Sequence, residues 1–316
     1  MRKEDTCVKT KIRLIRGKIG GRRMQRRINS KGILGKAGHL VVWAFFILLA
    51  AIVLYPIIFL ISGSLMGNDE LSNYLGAVFL GKEGYADFPF LPMFPTLRHY
   101  VEICLDSPEF FVMFWNSVKI TFGVLIGQFV VGTMAAWGFA KYDFLWKKGF
   151  FLLYMILMLL PFQVLMLSDY LVLDLFHLTD NLWGIILPGV FSTFPVFIMY
   201  RFFVEIPESL LESARLDGAK EWQLFLSLAL PVGSYGIIAC MVLGFLEYWS
   251  LIEQPLIFLK EKSLFPLSIF LPDITNVGKS GMAFAASVIT FLPALLVFLG
   301  GQDYLEQGIM AGAVKE

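Results

Sequence analysis

Charge is scarce in this chain. Only 16% of its 316 residues are Asp, Glu, Lys or Arg, against about 25% in an ordinary soluble domain. Cysteine is scarcer still. Cys7, Cys104 and Cys240 are scattered and odd in number, which argues against a disulfide framework and against a cysteine-bound metal. The three histidines, His39, His99 and His177, stand apart from one another and are expected at interfaces or in loops. No H-E-x-x-H, no Cys/His cluster and no G-x-S-x-G occurs, so the usual zinc-protease and serine-hydrolase constellations are excluded. Also missing is G-x-x-x-x-G-K-[ST], the backbone cradle for nucleotide phosphates. Any use of ATP therefore needs a partner.

What is present is apolar. Hydrophobic residues make up 57% of the chain and mean hydropathy is +0.71. They fall in separate continuous runs near the 18 or more residues that cross a bilayer. Barrel strands alternate apolar and polar residues; these runs do not. Backbone groups in lipid must be paired within the chain, so the runs are expected to be helices. The net charge of +1 hides an asymmetry: residues 1–38 carry 13 of the 26 Lys and Arg, with only Glu4 and Asp5 against them. Such a tail binds nucleic acid or anchors a first span from the cytoplasmic side. The adjoining apolar run favours the anchor, with no nucleic-acid partner. Met24, followed by QRR, is a second possible start. No small-residue cleavage site follows the first run, which is expected to be an uncleaved span.

In chain order, residues 1–38 form the basic tail and residues 39–66 the first span, from about His39 to Leu65 with Pro56 inside. Residues 67–109 are expected to be an extracytoplasmic loop, acidic and rich in proline and aromatics, with Lys82 and Arg98 against Asp69, Glu70, Glu83, Asp87, Glu102, Asp106 and Glu109. Residues 110–304 hold five more spans. Span 2 runs from about Phe110 to Ala140; Asn116 and Ser117 are placed to cap its start. Gly123-x-x-x-Gly127 and Gly132-x-x-x-Ala136 line one face with small residues, which lets another helix approach. Lys141, Lys147 and Lys148 mark the next loop as cytoplasmic. Span 3, Gly149 to about Leu171, is interrupted at Pro161, and Asp169 and Asp174 near its end are expected to be solvated. Span 4 covers about Leu182 to Phe203, with Pro188 and Pro195. Span 5 covers about Val232 to Leu259 and span 6 about Met282 to Gly301, with residues 305–316 as a tail. Six spans return the C-terminus to the cytoplasmic side. No inverted repeat, a common mark of secondary transporters, is evident.

Between spans 4 and 5 lies EIPESLLESARLDGAKEWQLFLSLALP, residues 205–231. Pro207 suits the first turn of a helix, and Glu205, Glu208 and Glu212 suit its positive dipole end. Leu210, Leu211 and Ala214 form an apolar side. Asp217-Gly218 breaks the helix, since Gly takes positive φ. A second helix is expected from Ala219 to about Leu230, with Trp222, Phe225, Leu226 and Ala229 at helical spacing. An amphipathic loop on the membrane surface shows the same pattern.

The residue order is more specific. ESARLDGAKEWQLFLSLALP resembles the EAA motif of ABC importer permeases, E-A-A-x-x-x-G, then about nine residues, then an apolar residue, x and L-P. Glu212, Ser213, Ala214 and Gly218 align, with Ser for the first Ala, and Leu228, Leu230 and Pro231 align with the end. Asp217 and Ala219 fit the D-G-A form of the sugar-transporting branch. Asn116-Ser117 and AAWGFAKYDF at 135–144 resemble further elements of these permeases, as do PLIFL at 255–259 and GIMAGAVK at 308–315, on the side of the maltose-type G subunit. The resemblance covers roughly residues 40–316. It implies an all-α membrane protein with six transmembrane helices, the MetI-like ABC importer permease fold and a cytoplasmic coupling helix pair. Glu212, Ser213, Ala214, Asp217, Gly218 and Ala219 then form the surface that docks on a cytoplasmic ABC ATPase dimer. ATP and Mg belong to that partner, and this chain binds no cofactor or metal and is not an enzyme. A second permease subunit, a different chain, and an extracytoplasmic solute-binding protein complete the assembly in a bacterial cell membrane.

Polar residues within spans are expensive and often functional. Gln163, Glu247, Trp249 and Glu253 are the candidates for a substrate path, with Gln128 and Gln254 as further polar positions. An aromatic beside polar groups suits a sugar, whose ring face stacks and whose hydroxyls need partners; helix–helix hydrogen bonding explains the same residues. The run EYWSLIEQP departs from the family's usual sequence near Trp249. The expected function is carbohydrate import. Its alternatives are a permease for glycerol phosphate or a similar solute, a proton-coupled secondary transporter, and an intramembrane enzyme, which lacks its catalytic residues.

Overall fold

The computed structural model describes residues 39–79, 85, 90–270 and 277–313. The basic tail 1–38, Met24 and the loop residues Lys82, Glu83 and Asp87 lie outside the described residues, as do the side chains of the 308–315 motif. Among the described residues there are helices and no strand, as the continuous apolar runs predict. The chain divides into two units, Met1–Phe59 and Leu60–Glu316. Helix α1, His39–Leu65, is counted across that division. In the first unit its side chains from Leu40 to Leu54 are exposed and overwhelmingly apolar.

In the second unit the expected 67–109 loop is itself partly helical. Helix α2 spans Asn68–Phe79 and α3 spans Arg98–Asp106. Buried Leu71 and Leu75 on α2, and His99 and Ile103 on α3, supply the apolar or packed face each helix needs. Helix α4, Pro108–Lys141, is 34 residues long and relaxes into a π-turn at Gln128–Gly132. It starts well before Asn116, so Asn116 and Ser117 are buried mid-helix residues and not caps.

Proline decides where the next helices break. Helices α5, Lys147–Leu159, and α6, Phe162–Leu175, meet at 107°. Leu160 is extended there, because the ring of Pro161 disfavours helical geometry at the residue before it. Helix α7, Trp183–Val204, is interrupted at Phe191–Ser192. Phe191 is the residue whose carbonyl would collide with the ring of Pro195 in a continuous helix. Helix α8, Glu208–Leu216, is followed by α9, Glu221–Val232. Pro231 lies inside α9, preceded by a π-turn at Phe225–Ala229, the kind of local adjustment that accommodates a missing N–H. The real break is at Gly233, where α9 and α10, Ser234–Trp249, are bent by 70°. Span 5 therefore ends at Trp249, not Leu259; a separate short helix α11, Glu253–Phe258, follows. Helix α12, Val277–Ala313, continues through much of the expected polar tail.

Among the described residues four helices, α1, α4, α7 and α12, are long and apolar enough to cross a bilayer, and the count reaches six if each bent pair is one crossing. Their contacts follow the small residues. A Cβ on Gly127 would lie 2.2 Å from Val190 Cγ2, and one on Gly123 would lie 3.2 Å from Ile186. The small face of α4 thus sits directly on α7, as its spacing predicts. The largest core joins α4, α7, α8, α9 and α10 through Trp137, Met199, Phe203, Leu211, Phe225 and Cys240.

Candidate coupling site and polar residues of the spans

Helix α8 begins after Pro207, which is extended at φ −61 and ψ 134 and serves as the residue before the first turn. The motif's spacing then has a direct structural meaning. Gly218 has φ +87, its N–H donates to Arg215 O at 3.0 Å, and the N–H of Ala219 donates to Ala214 O at 3.0 Å. These two bonds are the Schellman closure of a helix, which needs a left-handed residue at the glycine. Ala214, Gly218 and Ala219 are therefore one capping unit. Ser213, where the motif has Ala, donates its hydroxyl to Ser209 O at 2.8 Å. Glu212 and Asp217 are exposed.

The expected apolar side of α8 is narrower than its pattern. Leu211 is completely buried, whereas Leu210 is exposed and Ala214 half-buried. On α9, Phe225 and Ala229 are buried as expected, together with Leu224. Trp222 is 61% exposed and Leu216 90% exposed, so the pair shows the outside an apolar surface framed by carboxylates.

An ion network fixes the two helices to each other and to the end of α4. Arg215 donates from Nε to Glu221 Oε1 at 2.9 Å and from Nη1 to Glu208 Oε1 at 3.0 Å. Tyr142 donates its hydroxyl to Glu221 Oε2 at 2.8 Å. Lys141 donates to Ile206 O at 2.6 Å and lies 3.7 Å from Glu208. Arg215 first, then Tyr142, holds the Glu221 carboxyl below its usual range. Burial first, then Glu221, raises the Tyr142 phenol. Lys141 and Tyr142 belong to the AAWGFAKYDF stretch, so two separate sequence motifs meet here.

The polar span residues separate into different surroundings. Gln163 donates to both carboxylate oxygens of Glu253, at 3.0 and 2.8 Å, so two of the four path candidates form one exposed pair. Glu247 is exposed on α10. Trp249 is buried, stacks on Phe245 at 5.4 Å and 11°, and donates to Thr290 O at 2.8 Å. Gln128 is buried and donates to Gly189 O at 2.9 Å, bridging α4 and α7. His99, on α3 within the 67–109 connection, is buried, with Nε2 3.0 Å from Met66 O.

The family profile of binding-protein-dependent transport system inner membrane components matches residues 128–311. This chain belongs to that family. The permease is 30% identical over 273 residues to the arabinooligosaccharides transport system permease protein AraQ of Bacillus subtilis (strain 168), covering 86% of this chain and 94% of that protein. It is 25% identical over 209 residues to the sn-glycerol-3-phosphate transport system permease protein UgpE of Yersinia pestis bv. Antiqua (strain Antiqua), covering 65% and 74%. Among solved structures, a bacterial ABC transporter involved in the import of the acidic polysaccharide alginate aligns with a TM-score of 0.71 at 19% identity, over 85% of the permease and 96% of that chain; this likeness establishes the fold.

Two features of the permease escape a linear reading. Lys119 lies inside α4 and, with Asp180, Asn181, Trp183 and Glu261, lines a cavity of about 630 Å³. A single cation in an apolar run is the signal that would have found it. Asn116 donates to Ser263 O at 2.7 Å and to Phe265 O at 3.2 Å, while Ser117 Oγ accepts from Leu267 N at 2.8 Å. These contacts latch the chain after α11 onto α4. Asp180 adds a second latch, accepting from Lys260 N and Glu261 N at 2.9 Å each; those two N–H groups hold its carboxyl below the usual range.

Proposed function

We propose that this permease is one transmembrane subunit of a bacterial ABC importer that moves a carbohydrate, an oligosaccharide or related sugar, into the cytoplasm. In this reading the bent pair α5–α6 crosses once and α10 crosses once, six spans put both termini in the cytoplasm, and residues 205–231 rest in a groove of a separate ATPase dimer. That dimer binds ATP and Mg. A second permease chain and an extracytoplasmic solute-binding protein complete the assembly, and Gln163, Glu247, Trp249 and Glu253 line the solute's path.

The observation that carries the reading is the α8–α9 pair. It bears the family motif, exposes Glu212, Asp217 and Leu216, and is tied by Leu211 and Lys141 to α4 and α7. A rigid element bound to the ends of several spans transmits a displacement to all of them. Gly218→Pro, or a double change at Glu212 and Asp217, is expected to abolish uptake while the protein still inserts and accumulates. Normal transport by such variants would remove the docking role. Loss of the ATPase is expected to stop uptake; uptake that survives it and collapses with an uncoupler would assign the protein to proton-coupled transport.

Similarity to the arabinooligosaccharide permease supports a sugar. Similarity to glycerol-3-phosphate permeases supports a second reading, a phosphorylated polyol. Profiling the ligands of the cognate binding protein separates the two.

A further inference from the structure

We infer that residues 90–97, together with one face of α3, form a lipid-binding surface in the interfacial layer of the bilayer at the Leu65 end of α1. This rests on α1 crossing the membrane and on no assumption about the solute or about which side that end faces.

Thr96 N–H donates to Leu65 O at 2.8 Å, and Ser62 Oγ donates to Phe90 O at 2.9 Å. Leu65 ends α1, and Ser62 lies about 4.5 Å further along its axis at 1.5 Å per residue. The segment is therefore held beside the last turn of a span, at the level of the polar–apolar boundary. Residues 90–97 carry no charge, yet Leu91 is 79%, Met93 69% and Phe94 81% exposed. Helix α3 extends the surface: Leu97, Val101 and Leu105 recur at the four-residue spacing that shares a helix face, and all three are exposed, while His99 and Ile103 turn inward. Arg98, paired with Glu102 at 2.7 Å, sets a charged rim beside this face, where a long basic side chain reaches the headgroups.

Irregular chain near lipid is costly because its N–H groups need partners. Here Pro92 and Pro95 have none to satisfy, Met93 N–H donates to Glu70 Oε1 at 2.8 Å, and Thr96 is taken by Leu65. An irregular, proline-rich segment can thus rest against headgroups and upper acyl chains. A soluble partner protein or the second permease chain is the competing occupant of such a surface.

The test places single nitroxide-labelled cysteines at Leu91, Phe94 and Val101 of the full chain, with Cys7, Cys104 and Cys240 replaced by Ser or Ala. The chain and its co-purifying subunits are placed in lipid nanodiscs. Ile52 on α1 and exposed Asp106 serve as references. The expected result is preferential collision with oxygen at positions 91, 94 and 101, several-fold above position 106 and close to position 52. Preferential collision with a water-soluble nickel chelate would overturn the inference in favour of an aqueous loop. Low collision with both reagents would overturn it in favour of a covering protein. Retained uptake by each labelled variant excludes misfolding as the cause of either result.

Discussion

Residues 205–231 and residues 90–107 both lie between spanning helices, and they hold their place by different means. The first segment plugs Leu211, Leu224 and Phe225 into the core and closes its surface with Arg215, Glu208, Glu221, Lys141 and Tyr142. The second buries His99 and Ile103, borrows two hydrogen bonds from the end of α1, and leaves Leu91, Met93, Phe94 and Leu97 outside. One is a charged, internally braced element fit to be pushed by a protein. The other is apolar outside and fit to rest on lipid. The difference teaches that exposure alone says little in a membrane protein; the chemistry of the exposed face and the depth of its anchors carry the information.

That contrast is sharpest at its buried ends. Leu211→Ala is expected to cost about 2–5 kcal/mol, as for a leucine emptied from a packed core, whereas Phe94→Ala in detergent is expected to stay within about 0.5 kcal/mol. Thermal unfolding of the purified protein compares them, and equal losses would dissolve the distinction. Asn116→Ala leaves the carbonyls of Ser263 and Phe265 without their donor and is expected to cost about 1–3 kcal/mol; loosening of residues 260–270 in hydrogen exchange checks it. Gly218→Ala is smaller. A Cβ there meets nothing within 4 Å, so only the left-handed backbone opposes it, at about 1–2 kcal/mol, and uptake should fall less than with Gly218→Pro.

The least of these effects is one of pH. The folded pKa of Glu221 is lowered by Arg215 and Tyr142. The clamp therefore contributes fully above the ordinary glutamate value and is lost as pH falls through the lowered one. Amide protection in residues 205–231, taken relative to the intrinsic exchange rate at each pH, is expected to be flat from neutral pH into mild acid and to fall only below that range. Arg215→Gln should remove the dependence.

Much of this protein follows from order along the chain. Apolar runs free of alternation require helices, Pro161 announces a break, glycines at 123 and 127 announce a close contact, and Asp217-Gly218 announces a helix closure, because each is a local consequence of backbone sterics or pairing. Partners distant in sequence were not legible in that way. Nothing near Asn116 shows that its amide meets residues 263 and 265, and nothing near Trp249 shows that its ring stacks on Phe245 and its N–H reaches Thr290. The meeting of Lys141 and Tyr142 with the 205–231 segment is of the same kind. Those roles belong to the tertiary structure, because a side chain's function in a bundle is set by which helix face arrives opposite it, and that depends on crossings and bends summed over the whole fold. The sequence alone determined a helical membrane protein with a helix–turn–helix between two apolar runs. Only the packed structure decided which of its residues brace that element and which are left facing lipid or a partner.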